Sequence, residues 1–149
     1  MKIRISATNF YWVNKFIDNE LFMTSVVYTL GHSSRPLFEF IEKLQKNKIE
    51  VLVDVRSHPQ SRFCPQFNQK RLSEELGNVG IIYLFRGKNL GGKGENVRFD
   101  ETIEELANMV KRGQILCLLC SEKDPAKCHR SQELAPLFVA QGFGVEHII

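Results

Sequence analysis

The chain alternates short apolar runs with longer stretches in which apolar residues recur every three or four positions. Leu37, Phe40, Ile41 and Leu44 show the second pattern, which is typical of an amphipathic helix. Strands that alternate with helices pack as a parallel sheet covered by helices on both faces. We therefore predict an α/β fold, a three-layer Rossmann-like single domain with a mostly parallel sheet of about five strands. The predicted strands are residues 26–32, 50–57, 81–85, 114–120 and 145–149.

Four helices have recognisable start signals. The first is expected from about Ser34, and the second follows Asn68, whose side chain suits a helix N-cap. Asp100 is the expected cap of the third helix. Asp124 and Pro125 read as an N-cap and a first helical residue, which predicts that the fourth helix begins there.

Four other features of the pattern refine this scheme. The run 114–120 is the most apolar, so we expect it at the centre of the sheet. The stretch 86–99 is rich in glycine and lysine, which indicates a long loop. Pro136 falls inside the last helix and is expected to kink or split it. Phe67 and Leu72 flank the second N-cap in the arrangement of a hydrophobic staple.

Composition is that of an ordinary soluble domain. The chain has 149 residues, of which 43% are hydrophobic and 25% charged, and its formal net charge is +3. This mild positive charge permits an anionic ligand but does not by itself indicate nucleic acid. No stretch of about 18 uninterrupted apolar residues occurs, so no membrane span is expected. Four cysteines without a secretion signal favour reduced thiols and a cytoplasmic location.

Residues 1–22 fit the alternating scheme poorly, whereas residues 23–149 form the predicted domain. The N-terminal segment is aromatic and shows helical spacing, for example at Phe10 and Val13. One interpretation is an appended helix that packs on the domain or joins two copies in a homo-oligomer. The other is that Met23 is the natural start and that the segment is translated upstream sequence.

Reactive and charged residues follow the predicted strands at their carboxyl ends, where open parallel sheets bind ligands. Because the carboxyl ends of parallel strands meet at one edge of the sheet, we expect these residues to share a site. They are His32 after the first strand, Asp54, Arg56 and His58 after the second, Arg86, Lys88 and the GGKG loop with Gly91, Gly92 and Lys93 after the third, and Cys120, Glu122, Cys128, His129 and Arg130 after the fourth.

Four stretches near these strand ends read TLGHSSR (29–35), VDVRSHPQSR (53–62), GIIYLFRGKNLGG (80–92) and LCSEKDPAKCHRS (119–131). Together they resemble the motifs of the domain of unknown function family 488. The resemblance covers about residues 26–149 and implies a small Rossmann-like α/β domain without an established reaction. The recurrent polar or turn positions that it implies, with no catalytic role attached, are His32, Asp54, Arg56, Pro59, Ser61, Gly91, Gly92, Cys120, Glu122, Cys128, His129 and Arg130.

The spacing of the cysteines narrows the chemistry that they can perform. Cys117 and Cys120 form a CxxC pair, but they fall in a strand, where residues three apart face opposite sides. We therefore expect Cys117 in the core and disfavour a redox pair with Cys120. Cys128 and His129 are neighbours on a helix and point about 100° apart, which argues against a shared zinc ion. We predict no metal site and no cofactor.

The other residues suit an anion site. The helix expected near Asp124 presents free N–H groups to the crevice, and Arg130 offers a bidentate fork to phosphate or carboxylate. The alternative is that Arg130 only orients the corner through an ion pair with Asp54 or Glu122. The predicted anion-binding residues are Arg56, Arg62, Gly91, Gly92, Lys93 and Arg130. The predicted catalytic residues are Cys120 or Cys128 as nucleophile and His32 or His129 as acid–base group, with Asp54 and Glu122 orienting them.

These residues favour a protein that binds a phosphate-bearing ligand, such as a nucleotide or nucleic acid, at the strand ends. In this interpretation it is a hydrolase or transferase that uses a cysteine. Two alternatives remain open. One is a non-catalytic nucleotide- or nucleic-acid-binding module, and the other is a thiol-sensing or zinc-binding protein.

Overall fold

Five strands form one sheet with helices on both sides in residues 25–93 and 96–149, the parts of the chain that the computed structural model describes. The elements, in chain order, are β1 (Val26–Gly31), α1 (Leu37–Lys46), β2 (Val51–Asp54), a short 3-10 helix (Pro65–Phe67), α2 (Gln69–Asn78), β3 (Ile82–Phe85), α3 (Gly87–Leu90), α4 (Phe99–Lys111), β4 (Leu116–Cys120), α5 (His129–Ala140) and β5 (Gly144–Ile148).

The strands lie in the order β3–β2–β4–β1–β5, and every pairing between them is parallel. β4 is the central strand and is buried along its whole length, as its apolar sequence predicts. The fold class is therefore the predicted three-layer, Rossmann-like α/β arrangement. The sheet is fully parallel because each strand is followed by a connection that returns to the same edge.

The side chains of the central strands alternate between two apolar clusters. Val53 and Leu118 belong to the cluster beneath α4 and α5. Leu52 and Leu119 belong to the cluster beneath α1 and α2. The connection that leaves β2 therefore covers one face of the sheet, and the connection that leaves β4 covers the other. Strand ends that separate in this way leave a crevice between them.

α1 begins at Leu37 rather than near Ser34, as the sequence had predicted. Its N-cap is Pro36, which has an extended backbone with ψ of 145°, and no side chain caps the helix. A proline disfavours the helical conformation at the residue before it, so the helix cannot extend back through Arg35. The second helix is placed correctly, with Asn68 as its N-cap. The Asn68 side chain, however, accepts a hydrogen bond from the N–H of Ser61 at 2.7 Å instead of capping α2.

The stretch 86–99 is not a continuous loop. It contains the one-turn helix α3, and α4 begins at its end. The N-cap of α4 is Arg98, with a left-handed φ of 52°, so the prediction of Asp100 as the cap was wrong. Asp100 lies in the first turn of α4, where its carboxylate interacts favourably with the helix dipole.

The last helix starts later than its sequence signals suggested. Asp124 and Pro125 belong to a tight turn, in which the N–H of Lys127 donates to the carbonyl of Asp124 at 3.0 Å. The Asp124 carboxylate caps that turn, accepting from the N–H of Ala126 at 2.9 Å. α5 therefore begins at His129, and it runs through Pro136 without being split.

The aromatic segment 1–22 and Met23 lie outside the described residues, so both interpretations of that segment stay predictions. Within residues 25–93 and 96–149, no helix is long and apolar enough to cross a membrane.

Candidate functional site

A cavity of about 550 Å³ opens between the carboxyl ends of β2 and β4. These two strands send their connections to opposite faces of the sheet, which is the position where open α/β folds bind ligands. The cavity contains most of the residues that the sequence placed at this edge. Its lining consists of Val55, Arg56, Ser57, His58, Gly91, Gly92, Lys93, Cys120, Ser121, Glu122, Lys127, Cys128, Arg130 and Glu133.

Cys128 occupies the N-cap position of α5. Its sulfur accepts a hydrogen bond from the N–H of Ser131 at 3.4 Å. The residue is 5% exposed, and the cavity is its route to solvent. The sequence placed Cys128 inside the first helical turn, so its capping role is a correction. An N-cap sulfur lies against the free N–H groups and positive dipole end of the helix, which favours the thiolate.

Cys120 ends β4 beside Cys128, and its sulfur lies 3.4 Å from the Ser131 hydroxyl. A hydrogen bond from the Cys120 thiol is the largest influence that lowers the pKa of Cys128, to about 5. The hydroxyl of Ser131 and the N–H groups of Ser131 and Arg130 act in the same direction, while burial opposes them. The hydrogen bond with Cys128, together with burial, raises the pKa of Cys120. Both directions favour Cys128 over Cys120 as the thiolate of this pair.

Cys117 faces away from this pair, as the strand period predicts. It is fully buried in the cluster beneath α1 and α2, whereas Cys120 contacts α5 on the other side of the sheet. Burial raises the pKa of Cys117, so it stays a thiol. The CxxC spacing therefore has no redox meaning here, because its two sulfurs are on opposite faces of one strand.

Arg56 and Asp54 form a buried ion pair beside the cavity. The Nε and Nη2 atoms of Arg56 donate to the two carboxylate oxygens at 2.9 and 2.7 Å, and Nη2 also donates to the carbonyl of Phe67 at 2.8 Å. The Tyr83 hydroxyl donates to the same carboxylate at 2.5 Å, and burial followed by the charge of Asp54 raises the pKa of Tyr83. Asp54 therefore holds Arg56 and Tyr83 in place, and its predicted role of orienting a catalytic cysteine or histidine stays a prediction. Arg56 lines the cavity, but its Nε and Nη2 atoms donate to acceptors within the protein rather than to an anion.

Arg130 connects the start of α5 to the loop that follows α3. Its Nη1 donates to the carbonyl of Leu90 at 2.9 Å, and its Nη2 pairs with Glu133. The expected internal partners, Asp54 and Glu122, were wrong, because Glu133 is one turn along the same helix. The guanidinium lies against Gly92, where an added Cβ would meet Arg130 Cζ at 2.3 Å.

The described amides of the glycine loop, those of Gly91, Gly92 and Lys93, donate to acceptors within the protein. The N–H of Gly91 donates to the carbonyl of Gly87, and that of Gly92 donates to Asn96 Oδ1 at 3.0 Å. The N–H of Lys93 donates to Ser57 Oγ at 3.2 Å. These amides are therefore satisfied within the protein, and the anion-binding role of Gly91 and Gly92 stays a prediction. Gly91 and Gly92 line the cavity as close-packed backbone.

Three cationic or titratable side chains at the cavity make no hydrogen bond or ion pair with the described residues. Lys93, Lys127 and His58 are exposed and line the cavity. Arg62 was expected to join them, but it does not line the cavity and instead lies over the ring of Phe63 at 5.9 Å. A cation for an anionic ligand is therefore available chiefly from the two lysines.

His32 lies behind the cavity wall and is not among its lining residues. Its Nδ1 is 2.6 Å from the carbonyl of Ser33, and its ring stacks on Phe67 with centroids 4.6 Å apart. Burial is the main cause that lowers the pKa of His32, which keeps the ring neutral. His32 is therefore a buried residue that packs on Phe67, and its predicted acid–base role stays a prediction. The His129 side chain lies outside what the structure describes.

Arg86, another cation at a strand end, belongs to a separate surface cleft of about 440 Å³ beside α4. Glu105 accepts two hydrogen bonds from Arg86, at 3.1 and 2.7 Å. This partner raises the pKa of Arg86 and lowers that of Glu105. The pair fastens β3 to α4 and contributes nothing to the cavity at Cys128.

Among the described residues, no group of three or more His, Cys, Asp or Glu side chains could hold a metal ion. Cys120 and Cys128 come closest to such a set, and their contacts are with Ser131 rather than with a further ligand. The geometry at this edge is that of a thiol pair.

Sequence reasoning missed Ser131 and Glu133. Ser131 contacts both sulfurs, and Glu133 holds Arg130. The available signal was the separation of three residues, from Cys128 to Ser131 and from Arg130 to Glu133, which brings side chains together at a helix start. This separation was not recognised as a helix-start signal because the sequence had placed the start of the helix at Asp124.

Comparison with known families gives one match. The family described as Domain of unknown function DUF488 matches residues 36–101 and 92–132, together more than half of the chain. No curated protein and no solved structure matches the chain.

Proposed function

The chain belongs to the DUF488 family, whose description names no activity, and from the cavity we propose that it is a cysteine-dependent hydrolase or transferase for a phosphate-bearing substrate. The observation that carries this proposal is Cys128, a capped and stabilised thiolate that lines a cavity of about 550 Å³. A thiolate at neutral pH is a strong nucleophile, whereas an ordinary protein thiol is mostly protonated there.

The proposed reaction has two steps. The Cys128 sulfur attacks phosphorus, forming an S–P bond while the P–O bond to the leaving group breaks. The leaving oxygen takes a proton from solvent or from His58, which lines the same cavity. Water or a second acceptor then displaces the sulfur, which restores the thiolate and completes hydrolysis or transfer.

Lys93 and Lys127 support an anionic substrate, since both line the cavity and neither is paired with a described acidic residue. The start of α5 adds the positive end of its dipole. Arg130 acts in this proposal as a positioning residue, because Leu90 and Glu133 already engage its guanidinium. Glu122, which also lines the cavity, opposes phosphate and favours a substrate with a further cationic or hydrogen-bonding part.

The test is alkylation by iodoacetamide, followed by mass spectrometry of each cysteine peptide across pH. We expect Cys128 to react fastest of the four thiols at pH 7, with half-maximal reactivity near the pKa of about 5. Inorganic phosphate should slow the reaction more than chloride at equal ionic strength. Lys93→Ala should weaken that protection, and Lys88→Ala, an exposed lysine that does not line the cavity, is the matched control.

Turnover is tested with an aryl phosphate, which should leave a phosphoryl adduct on Cys128 that is absent from Cys128→Ser. If all four thiols react at the rate of ordinary free thiols, Cys128 is not an activated nucleophile and the proposal fails. If phosphate protects Cys128 but no adduct or product forms, the protein is instead the non-catalytic nucleotide- or nucleic-acid-binding module. Binding of that kind would weaken steeply with salt.

A further inference from the structure

We propose that Cys128 and Cys120 are an oxidisable pair, in which a peroxide oxidises Cys128 and Cys120 then closes an intramolecular disulfide that switches the site off. This inference rests on the proposed function, because it regulates the same nucleophile. It names a modification site and the class of oxidant that reaches it.

The two sulfurs meet at one serine. Cys120 Sγ lies 3.4 Å from Ser131 Oγ, and Cys128 Sγ lies 3.4 Å from the N–H of Ser131. Ser131 thus contacts one sulfur with its hydroxyl and the other with its backbone N–H, which places both sulfurs beside the same residue. A disulfide requires the sulfurs to close to about 2.05 Å. Cys120 ends a strand and Cys128 precedes a helix, so neither residue lies in the interior of a helix or strand.

The surroundings select which reagents can enter. Both cysteines are 5% exposed, yet both line the cavity. A molecule the size of a hydroperoxide fits a cavity of about 550 Å³, whereas another protein's thiol cannot approach such buried sulfurs. Among the described cysteines, Cys64 and Cys117 do not line this cavity, so Cys120 is the cysteine placed to form a disulfide with Cys128.

The chemistry balances in two steps. The Cys128 thiolate attacks one peroxide oxygen; an S–O bond forms, the O–O bond breaks, and the leaving oxygen takes a proton to give water from hydrogen peroxide. Cys120 sulfur then attacks the sulfur of the sulfenic acid; an S–S bond forms, the S–O bond breaks, and the departing hydroxide leaves as water with the Cys120 proton. Overall, two thiols lose two electrons and two protons, and the peroxide is reduced to two waters.

The order of the steps follows from where the two sulfurs lie. Cys128 Sγ accepts the N–H of Ser131 at the start of α5, which favours its thiolate, whereas Cys120 ends the buried central strand. Interaction with Cys128, followed by burial, raises the pKa of Cys120 in the reduced protein. Conversion of Cys128 to a neutral sulfenic acid removes that negative charge. Cys120 is then freed to lose its proton and attack, so oxidation of the first sulfur activates the second.

The experiment treats the full chain with hydrogen peroxide, blocks the remaining thiols and maps tryptic peptides without reduction. Trypsin separates residues 113–123, which contain Cys117 and Cys120, from residues 128–130. We expect these two peptides to be joined, in wild type and in Cys117→Ala alike. The joined species should be absent from Cys120→Ser, in which dimedone should instead trap a sulfenic acid on Cys128.

Oxidation should lower the iodoacetamide reactivity of Cys128 by about tenfold or more, and dithiothreitol should restore it. Peptide mapping of the wild type needs no variant, so it decides the question even if Cys120→Ser fails to fold. A wild type in which Cys128 alkylates fast and forms a sulfenic acid but no disulfide would overturn this inference and leave the proposed nucleophile standing. A Cys128 that neither alkylates fast nor oxidises would overturn both.

Discussion

Ser131 donates its backbone N–H to the sulfur of Cys128 at 3.4 Å, and this contact caps the start of α5 and is one of several that lower the pKa of Cys128. The same residue places its hydroxyl 3.4 Å from Cys120. One serine thus connects the central strand, the last helix and both thiols.

Removing the Ser131 hydroxyl should make Cys128 less acidic. The hydroxyl is among the groups that lower the pKa of Cys128, so in Ser131→Ala the alkylation midpoint should move upward by about one pH unit. Iodoacetamide kinetics across pH measure this shift. Ser121→Ala is the matched control, because Ser121 also lines the cavity and makes no side-chain contact with either sulfur. An unchanged midpoint in Ser131→Ala would show that the backbone contacts alone stabilise the thiolate.

Gly31→Ala should disrupt the corner that follows β4. An added Cβ would lie 1.7 Å from the carbonyl oxygen of Glu122, a backbone atom that cannot move without displacing the chain. We expect a loss of about 2–4 kcal/mol in the free energy of unfolding and a slower reaction of Cys128.

Gly77→Ala provides the contrast within the same chain. Gly77 lies in α2, is exposed, and has no atom within 4 Å of the added Cβ. Because glycine is a poor helix former, this substitution should stabilise the protein by about 0.5–1 kcal/mol. Urea denaturation measures both variants, and a similar loss in the two would refute the close-approach argument for Gly31.

The buried pair of Arg56 and Asp54 should matter more for stability than an exposed arginine. Arg56→Met leaves the Asp54 carboxylate buried without its main partner, which costs about 3–5 kcal/mol. Tyr83→Phe removes one hydrogen bond to the same carboxylate and should cost about 1–2 kcal/mol. Arg62→Met, at an exposed position, should change stability by less than about 0.5 kcal/mol. If urea denaturation gives the same loss in the free energy of unfolding for Arg56→Met and Arg62→Met, the buried ion pair of Arg56 with Asp54 is contradicted.

Stability should rise with pH between about pH 5 and pH 8.5. The folded-state pKa of Cys128 is about 5, below the value of about 8.5 for an unfolded thiol. The unfolded state therefore binds more protons in this window, and the stabilisation is lost as the pH falls through the folded pKa. Cys120, whose pKa is raised, opposes the trend only at higher pH.

The comparison of wild type with Cys128→Ser isolates this effect. The difference in their free energies of unfolding should grow by roughly 3 kcal/mol from pH 5 to pH 8, since each pKa unit between the folded and unfolded values is worth about 1.4 kcal/mol. Cys64→Ser, at a cysteine that does not line the cavity, should show no such growth. A difference between wild type and Cys128→Ser that stays constant with pH would mean that Cys128 is not a thiolate in the folded protein.

Much of the fold follows from the sequence, because strand and helix periods are local properties. The five apolar runs became the five strands, and the most apolar one became the central β4. The period of two along β4 was enough to send Cys117 to one side and Cys120 to the other. The rule that parallel strands end at one edge correctly brought Cys120, Cys128 and Lys93 to one cavity.

Only the tertiary structure decided which polar groups meet. Asp124 and Cys128 both precede helix-compatible residues, and the position of Ser131 against the end of β4 made Cys128 the cap. Arg130 pairs with Glu133 and with the carbonyl of Leu90 rather than with Asp54, because Arg56 and Tyr83 already bind that carboxylate. Hydrogen bonds and ion pairs depend on distances of a few ångströms between residues far apart in the chain. The sequence thus determined the α/β fold and the edge of the sheet at which the candidate site lies. Tertiary packing determined which cysteine caps α5 and has the lowered pKa.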